Sequence, residues 1–187
     1  MRLAILTLLV LLGCGICAPV QAAPAPIEDY ASYAAPTKCH PKPRAGTVYL
    51  ARWVTRRFGG GIVSEGRACT KKDGPTSEHQ TGQAFDWGND VNRRADRRRV
   101  KDLMKLLFAT DWHGNTDAVA RRMGVMYVIW DDEIYSAWNG FRPERYLNSA
   151  CKSRKKCSQT LRHRDHLHVS LDLPGARGRT SWFDGRL

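Results

Sequence analysis

No internal repeat and no low-complexity tract is present in this chain, which rules out solenoid and repeat-array architectures. Carboxylates are scarce relative to cations, with 18 Asp and Glu against 30 Lys and Arg and a net charge of +12. A protein this basic is drawn to polyanions, a property that bears on location rather than on chemistry. Past the first residues there is no long apolar run, and at 187 residues the chain has room for one domain with a proper core but not for two.

The N-terminal stretch MRLAILTLLVLLGCGICAPVQA has one basic residue, an apolar run and then Val20-Gln21-Ala22, a small-residue cleavage pattern of the secretory type. The run is too short, and too soon followed by proline, for a membrane span. A rival reading takes Leu11-Leu12-Gly13-Cys14 as a lipobox anchoring the chain through Cys14, although Leu12 fits that position poorly. The expected organisation is an export signal over 1–22, a flexible or loosely docked Ala/Pro-rich leader over 23–37, and a folded domain over 38–187. Loss of Arg2 with the signal leaves a charge of +11.

Signal removal also takes away Cys14 and Cys17, the one Cys-x-x-Cys pair, which weakens a structural zinc reading of the cysteines. Four remain: Cys39, Cys69, Cys151 and Cys157. In an oxidising compartment they predict two disulfides, for which three pairings exist. The expected pairing is Cys39 with Cys69 and Cys151 with Cys157. The second would close the strongly basic loop Lys152-Ser153-Arg154-Lys155-Lys156, which could hardly pack unaided.

Apolar spacing predicts a helix over Thr47–Phe58 ending at Gly59-Gly60-Gly61, and a strand over Ile62–Cys69. Over Arg94–Thr110, Val100, Leu103, Met104 and Leu107 form one stripe and Arg94, Arg98, Lys101 and Lys105 the other, the pattern of an amphipathic helix with a solvated basic face. A shorter helix over Asp117–Met123 would be capped by Asn115 or Thr116 and stopped by Gly124. Val125–Trp130 and Glu133–Ala137 read as a hairpin around Asp131-Asp132, and His166–Leu171 as an alternating strand. Interleaved helices and short antiparallel strands predict an α+β fold, a small antiparallel sheet with flanking helices.

Two segments carry chemistry. In SEHQTGQAFD, His79 and Asp86 lie seven positions apart, so on one unbroken strand they would face opposite ways. A bend at Thr81-Gly82 would let imidazole and carboxylate meet, because glycine adopts backbone angles closed to other residues. In the second segment, HRDHLH, His166 and His168 share one strand face, while Leu167, Val169 and Leu171 share the other. His163 is the alternative to His168 as a third ligand. Asp165 would face the wrong way on an ideal strand and is placed at the end of a loop. His40 and His113 read as surface residues. Trp87, Trp130 and Trp138 read as core, with a cleft-lining role as the alternative.

Ser77-x-His79-x-x-Gly82-x-Ala84-x-Asp86 followed by Asp165-His166-x-His168 resembles the LAS metallopeptidases, and within them the D-alanyl-D-alanine carboxypeptidase-like branch and its hedgehog-type zinc fold. The resemblance runs over nearly all the chain after the leader, as in secreted bacterial proteins mostly without assigned substrates. It implies that His79, Asp86 and His168 are zinc ligands, that Asp165 stands in for the catalytic Glu, that His166 stabilises transition-state charge, and that Ser77 helps hold a substrate carboxylate. Asp165 is a methylene shorter than the family's Glu; Glu78 and Glu133 are substitutes for it as base. The function then expected is a secreted, monomeric zinc peptidase acting on peptidoglycan stem peptides or other D-amino-acid peptides, held near anionic wall polymers by its charge and with no specific nucleic-acid partner. Two alternatives are a zinc-containing wall- or polyanion-binding module with weak catalysis, and a secreted metal-dependent nuclease. Against the nuclease, the nitrogen-rich ligand set suits zinc better than magnesium.

Overall fold

A computed structural model describes residues 27–69 and 76–187; the expected signal, residues 1–22, lies with Cys14 outside the described residues. The elements run α1 (Ala45–Phe58), β1 (Gly61–Ser64), β2 (Ala84–Gly88), α2 (Arg94–Leu107), α3 (Ala118–Met123), β3 (Val125–Trp130), β4 (Glu133–Ser136), β5 (Pro143–Arg145), β6 (His166–Leu171) and α4 (Leu173–Ala176). The six strands form one sheet in the order β1-β2-β6-β3-β4-β5, antiparallel throughout, so the fold is α+β as expected. No helix among the described residues is long and apolar enough to cross a membrane.

Strand alternation divides the sheet into two unlike faces. Phe85 and Trp87 of β2, Leu167, Val169 and Leu171 of β6, and Val128 and Trp130 of β3 pack with Leu50 and Val54 of α1 and Val100, Leu103 and Leu107 of α2 in one apolar core. Asp86, His166, His168, Tyr127 and Ile129, from the intervening positions, line a cavity. Trp87 and Trp130 are therefore core, whereas Trp138 is 46% exposed and meets Tyr33 and Tyr127 edge-on.

Several boundaries differ from expectation for identifiable reasons. β1 stops at Ser64 rather than Cys69, because its register on β2 shifts there and the chain turns so that Arg67 N–H donates to His79 O. α2 ends at Leu107, short of Thr110, and Phe108 stacks on Phe141 with ring centroids 4.8 Å apart. The start of α3 is not capped by Asn115 or Thr116. Asp117, in the left-handed region at φ 53°, takes that place, and its carboxylate accepts the Tyr30 hydroxyl at 2.5 Å. The hairpin turn is as expected: Asp131 and Asp132 have φ of 48° and 65°, the left-handed pair that matches strand twist.

The described part of the Ala/Pro-rich segment is docked rather than loose. Glu28 accepts from Ser181 N–H and Oγ, Tyr30 lies under the Arg121 guanidinium, and Ala31 packs on the core. Both expected disulfides are present, Cys39–Cys69 and Cys151–Cys157, as befits an oxidising compartment.

α1 lies against α4 at its first turn. A Cβ on Gly46 would stand 2.1 Å from Gly175 O and 2.6 Å from Gly178 N, both backbone atoms that cannot yield independently. Gly46→Ala is accordingly expected to lower unfolding stability by about 2 kcal/mol or more, measured as a drop in denaturation midpoint with unchanged denaturant dependence.

Candidate metal centre

The site begins with strand register. Asp86 of β2 is directly opposite His168 of β6, His168 is opposite Ile129 of β3, and Ser64 of β1 is opposite Asp86. Ser64, Asp86, His168 and Ile129 thus form one row across four strands, and cross-strand neighbours on one face lie close enough to touch.

His79 joins this row from outside the sheet. Residues Glu78–Thr81 form a 3₁₀ turn that ends at Gly82 with φ 69°. Glycine is needed there twice over, since a Cβ would also stand 2.3 Å from Lys42 O. The turn's carbonyls are nearly all bound: His40 N–H donates to Gln80 O at 2.7 Å, Arg67 N–H to His79 O at 3.1 Å, Arg44 Nε to Thr81 O at 2.9 Å, and Arg44 N–H and Thr47 Oγ1 to Gly82 O at 3.0 and 2.8 Å. The Cys39–Cys69 disulfide joins the two segments that supply His40 and Arg67. The bend foreseen at Thr81-Gly82 is in place, and it carries His79 back over β2.

Three donor atoms converge. His79 Nε2 is 3.1 Å from Asp86 Oδ1 and 3.2 Å from His168 Nδ1, and His168 Nδ1 is 2.9 Å from Asp86 Oδ1. A tetrahedral shell with bonds of about 2.0–2.2 Å places neighbouring donors about 3.3–3.6 Å apart, so these atoms are within a few tenths of an ångström of ligand spacing. The three side chains are buried and form a group that can hold a metal ion. The outer nitrogens face serines: His168 Nε2 is 2.8 Å from Ser170 Oγ, and His79 Nδ1 is 3.4 Å from Ser64 Oγ. An N–H donated outward to oxygen leaves the inner nitrogen free to ligate, and such partners also hold the ring in place.

The group lies in a cavity of about 570 Å³ lined also by Arg67, Ser77, Glu78, Tyr127, Tyr146, His163 and His166. Ser77 is at the start of the 3₁₀ turn, its Oγ accepting from His79 N–H at 3.4 Å. His166 approaches with Nε2 3.6 Å from Asp86 Oδ1. Asp165 is exposed and does not line the cavity: its carboxylate accepts from Thr160 Oγ1 at 2.5 Å and pairs with His166 Nδ1 at 2.7 Å. Its place at the end of a loop is as expected, but the side chain reaches His166 rather than the cluster. Glu133, on β4, hydrogen-bonds Tyr135 and lies outside the cavity. His40 and His113 are half-buried and lie elsewhere.

His163, the alternative to His168 as a third ligand, lines the cavity but stands outside the three-residue group, whereas Ser170, Ser64, Tyr127 and Tyr146 were not singled out for this environment by the sequence motifs. Ser170 alone left a trace, since it alternates in phase with His166 and His168. The others arrive through strand pairing and a long loop, which no local pattern reports.

Burial governs the electrostatics. His163 is 8% exposed with Nδ1 unpartnered, and burial, aided by the neighbouring imidazoles, pushes its pKa down to about 2. Burial also pushes His168 down, against the pull of Asp86. At Asp86 burial acts upward, but hydrogen bonds from His168 and His79 outweigh it and hold the carboxyl well below the usual range. Tyr127, stacked on His168, is pushed up by burial and by the facing Glu78 carboxylate.

These shifts have one sign for stability. The unfolded chain binds protons at both histidines below their ordinary 6.5 while the folded chain does not, and Asp86 adds to the loss below its ordinary 3.8. After chelation, thermal stability is expected to be fully developed above about pH 6.5 and to fall steadily on acidification, with His163→Phe flattening part of the slope; melting curves across that range check this.

The comparisons with known proteins add a family. No curated protein and no solved structure matches the chain. One family model matches residues 39–152, a span that includes His79 and Asp86 and stops short of His166 and His168. The match does not by itself connect the chain with the LAS metallopeptidases that its two motifs resemble. Because the matched residues make up more than half the chain, it belongs to the family described as VldE, C-terminal domain.

Proposed function

We propose that this protein is a secreted zinc peptidase acting on peptides that contain D-amino acids, with peptidoglycan stem peptides as the substrate class. The observation that carries the reading is the convergence of His79 Nε2, Asp86 Oδ1 and His168 Nδ1 within 3.2 Å of one another beside an accessible cavity. Two imidazoles and one carboxylate are a zinc-type donor set that leaves room for a further ligand. Zinc bound there supplies a Lewis acid for a peptide carbonyl and lowers the pKa of water toward neutrality.

The chain's own residues then divide the work. His166, with one nitrogen toward the cluster and the other on Asp165, is placed to move a proton between attacking water and leaving amine. Asp165, turned away from the cavity, orients His166 and is itself held by Thr160. Ser77 and Arg67 line the cavity, where a hydroxyl and a guanidinium can hold a substrate carboxylate. Glu78 is the competing base, because it is a buried carboxylate in the cavity lining.

A second reading keeps the zinc and drops the turnover. It is favoured by one observation: the carboxylate in the place of the catalytic Glu is turned away from the cavity. The protein would then be a zinc-containing wall-binding module.

Incubation with purified peptidoglycan and D-alanyl-D-alanine peptides, with and without chelator, separates the two. The peptidase releases new amino groups in a chelator-sensitive way, and His168→Ala loses both this activity and zinc after dialysis. Zinc and wall binding without amine release would leave the module. In the active protein, His166→Ala is expected to cost about 10²–10⁴-fold in kcat/KM, and Asp165→Asn about 10–100-fold, with zinc content unchanged in both. If Glu78→Gln produces the larger loss and His166→Ala a small one, the proton-transfer role passes to Glu78.

A further inference from the structure

Beyond Arg67 in the cavity lining, the cations of the loop before β6 fall into two groups. Arg162 and Arg164, at the base of the loop before β6, are neutralised by the β3–β4 turn: Arg162 donates to both oxygens of Asp132 at 2.9 and 2.6 Å, and Arg164 to Asp131 at 2.7 Å. At the tip, Lys152, Arg154, Lys155 and Lys156 crowd into the ring closed by Cys151–Cys157, and among the described residues none of them forms an ion pair. Lys152, Lys155 and Lys156 are exposed.

Both stems of this ring belong to the cavity wall. Asn148 and Ser149 precede Cys151, Thr160 and Leu161 follow Cys157, and all four line the same space as the metal-binding group. The stems are braced: Asn148 accepts from Cys151 N–H and Ala150 N–H and donates to the Tyr146 hydroxyl, while the Ser158 hydroxyl caps Leu161 N–H. Like charges in so short a segment repel, and a disulfide holds them together where packing does not. The stems therefore tie a pre-formed cationic ring to the wall of the cavity that holds the cluster.

We propose that the Cys151–Cys157 ring docks the acidic part of a peptide substrate whose reacting bond lies at His79, Asp86 and His168. The inference rests on the peptidase reading and adds a substrate class to it: a peptide bearing carboxylates away from the cleaved bond. The ring sets which peptides are held and leaves the bond-breaking groups untouched.

The test uses the secreted, disulfide-bonded chain and three dye-labelled probes: a D-alanyl-D-alanine peptide with a run of glutamates, the same peptide with glutamines, and a single-stranded oligonucleotide of matching charge. The acidic peptide is expected to bind about tenfold more tightly than its glutamine counterpart at low salt, an advantage that shrinks as salt rises. The combined variant Lys152→Ala, Lys155→Ala, Lys156→Ala abolishes the preference while keeping zinc content and melting temperature. The combined variant Arg98→Ala, Lys101→Ala, Lys105→Ala, which removes the same three charges from α2, keeps it, as does His168→Ala. A preference that survives loss of the three ring lysines overturns the proposal, and so does an oligonucleotide that binds more tightly than the acidic peptide. In the unsubstituted protein, acidic-peptide docking without cleavage tells against the peptidase alone and supports the ring as a docking surface, and docking retained in His168→Ala shows that the ring binds independently of the cluster.

Discussion

The pairing of β2 with β6 is the constraint on which the site depends. It sets Asp86 opposite His168 on one face, and Phe85 and Trp87 beside Val169 and Leu167 on the other. A slip of one residue would send the carboxylate into the apolar core and a tryptophan into the cavity. The core therefore enforces the register that the polar cluster needs, and hydrophobic burial on one side determines the chemistry available on the other.

The cluster is costly to maintain in the metal-free protein. Three ionisable groups are buried together, with His163 added beside them and its Nδ1 unpartnered, and burying polar groups without full compensation opposes folding. The structure offsets this with restraints rather than with further apolar contact. The 3₁₀ turn bearing His79 is held by hydrogen bonds from residues on both sides of Cys39–Cys69, and the loop before β6 is held by two arginine–aspartate pairs and the second disulfide. Both disulfides thus bound segments that contribute to the cavity.

The family match and the metal-binding group overlap only in part. The matched span covers α1 to the start of the basic ring and contributes His79 and Asp86; β6 contributes the rest. A sheet in which the last strand lies beside the second makes this division natural, because the strand completing the site is remote in sequence and adjacent in space.

Much of this was legible in the amino-acid order. Alternation in His166–Leu171, the glycine after Thr81, the Asp131-Asp132 turn, the apolar stripe of α2 and an even cysteine count are local properties, and each carries its consequence through backbone geometry or side-chain period. They determined the α+β class, the bend at Gly82 and the two faces of β6, while the even cysteine count left three pairings open, of which the fold adopts Cys39–Cys69 and Cys151–Cys157. Only the tertiary structure decided that Asp86 and His168 are neighbours, that Ser64 and Ser170 stand behind the two histidines, that Asp165 turns to His166, and that residues 28–34 lie against the domain. These depend on pairings between segments tens of residues apart, whose register is chosen by the packing of the whole sheet and leaves no periodic trace in either partner.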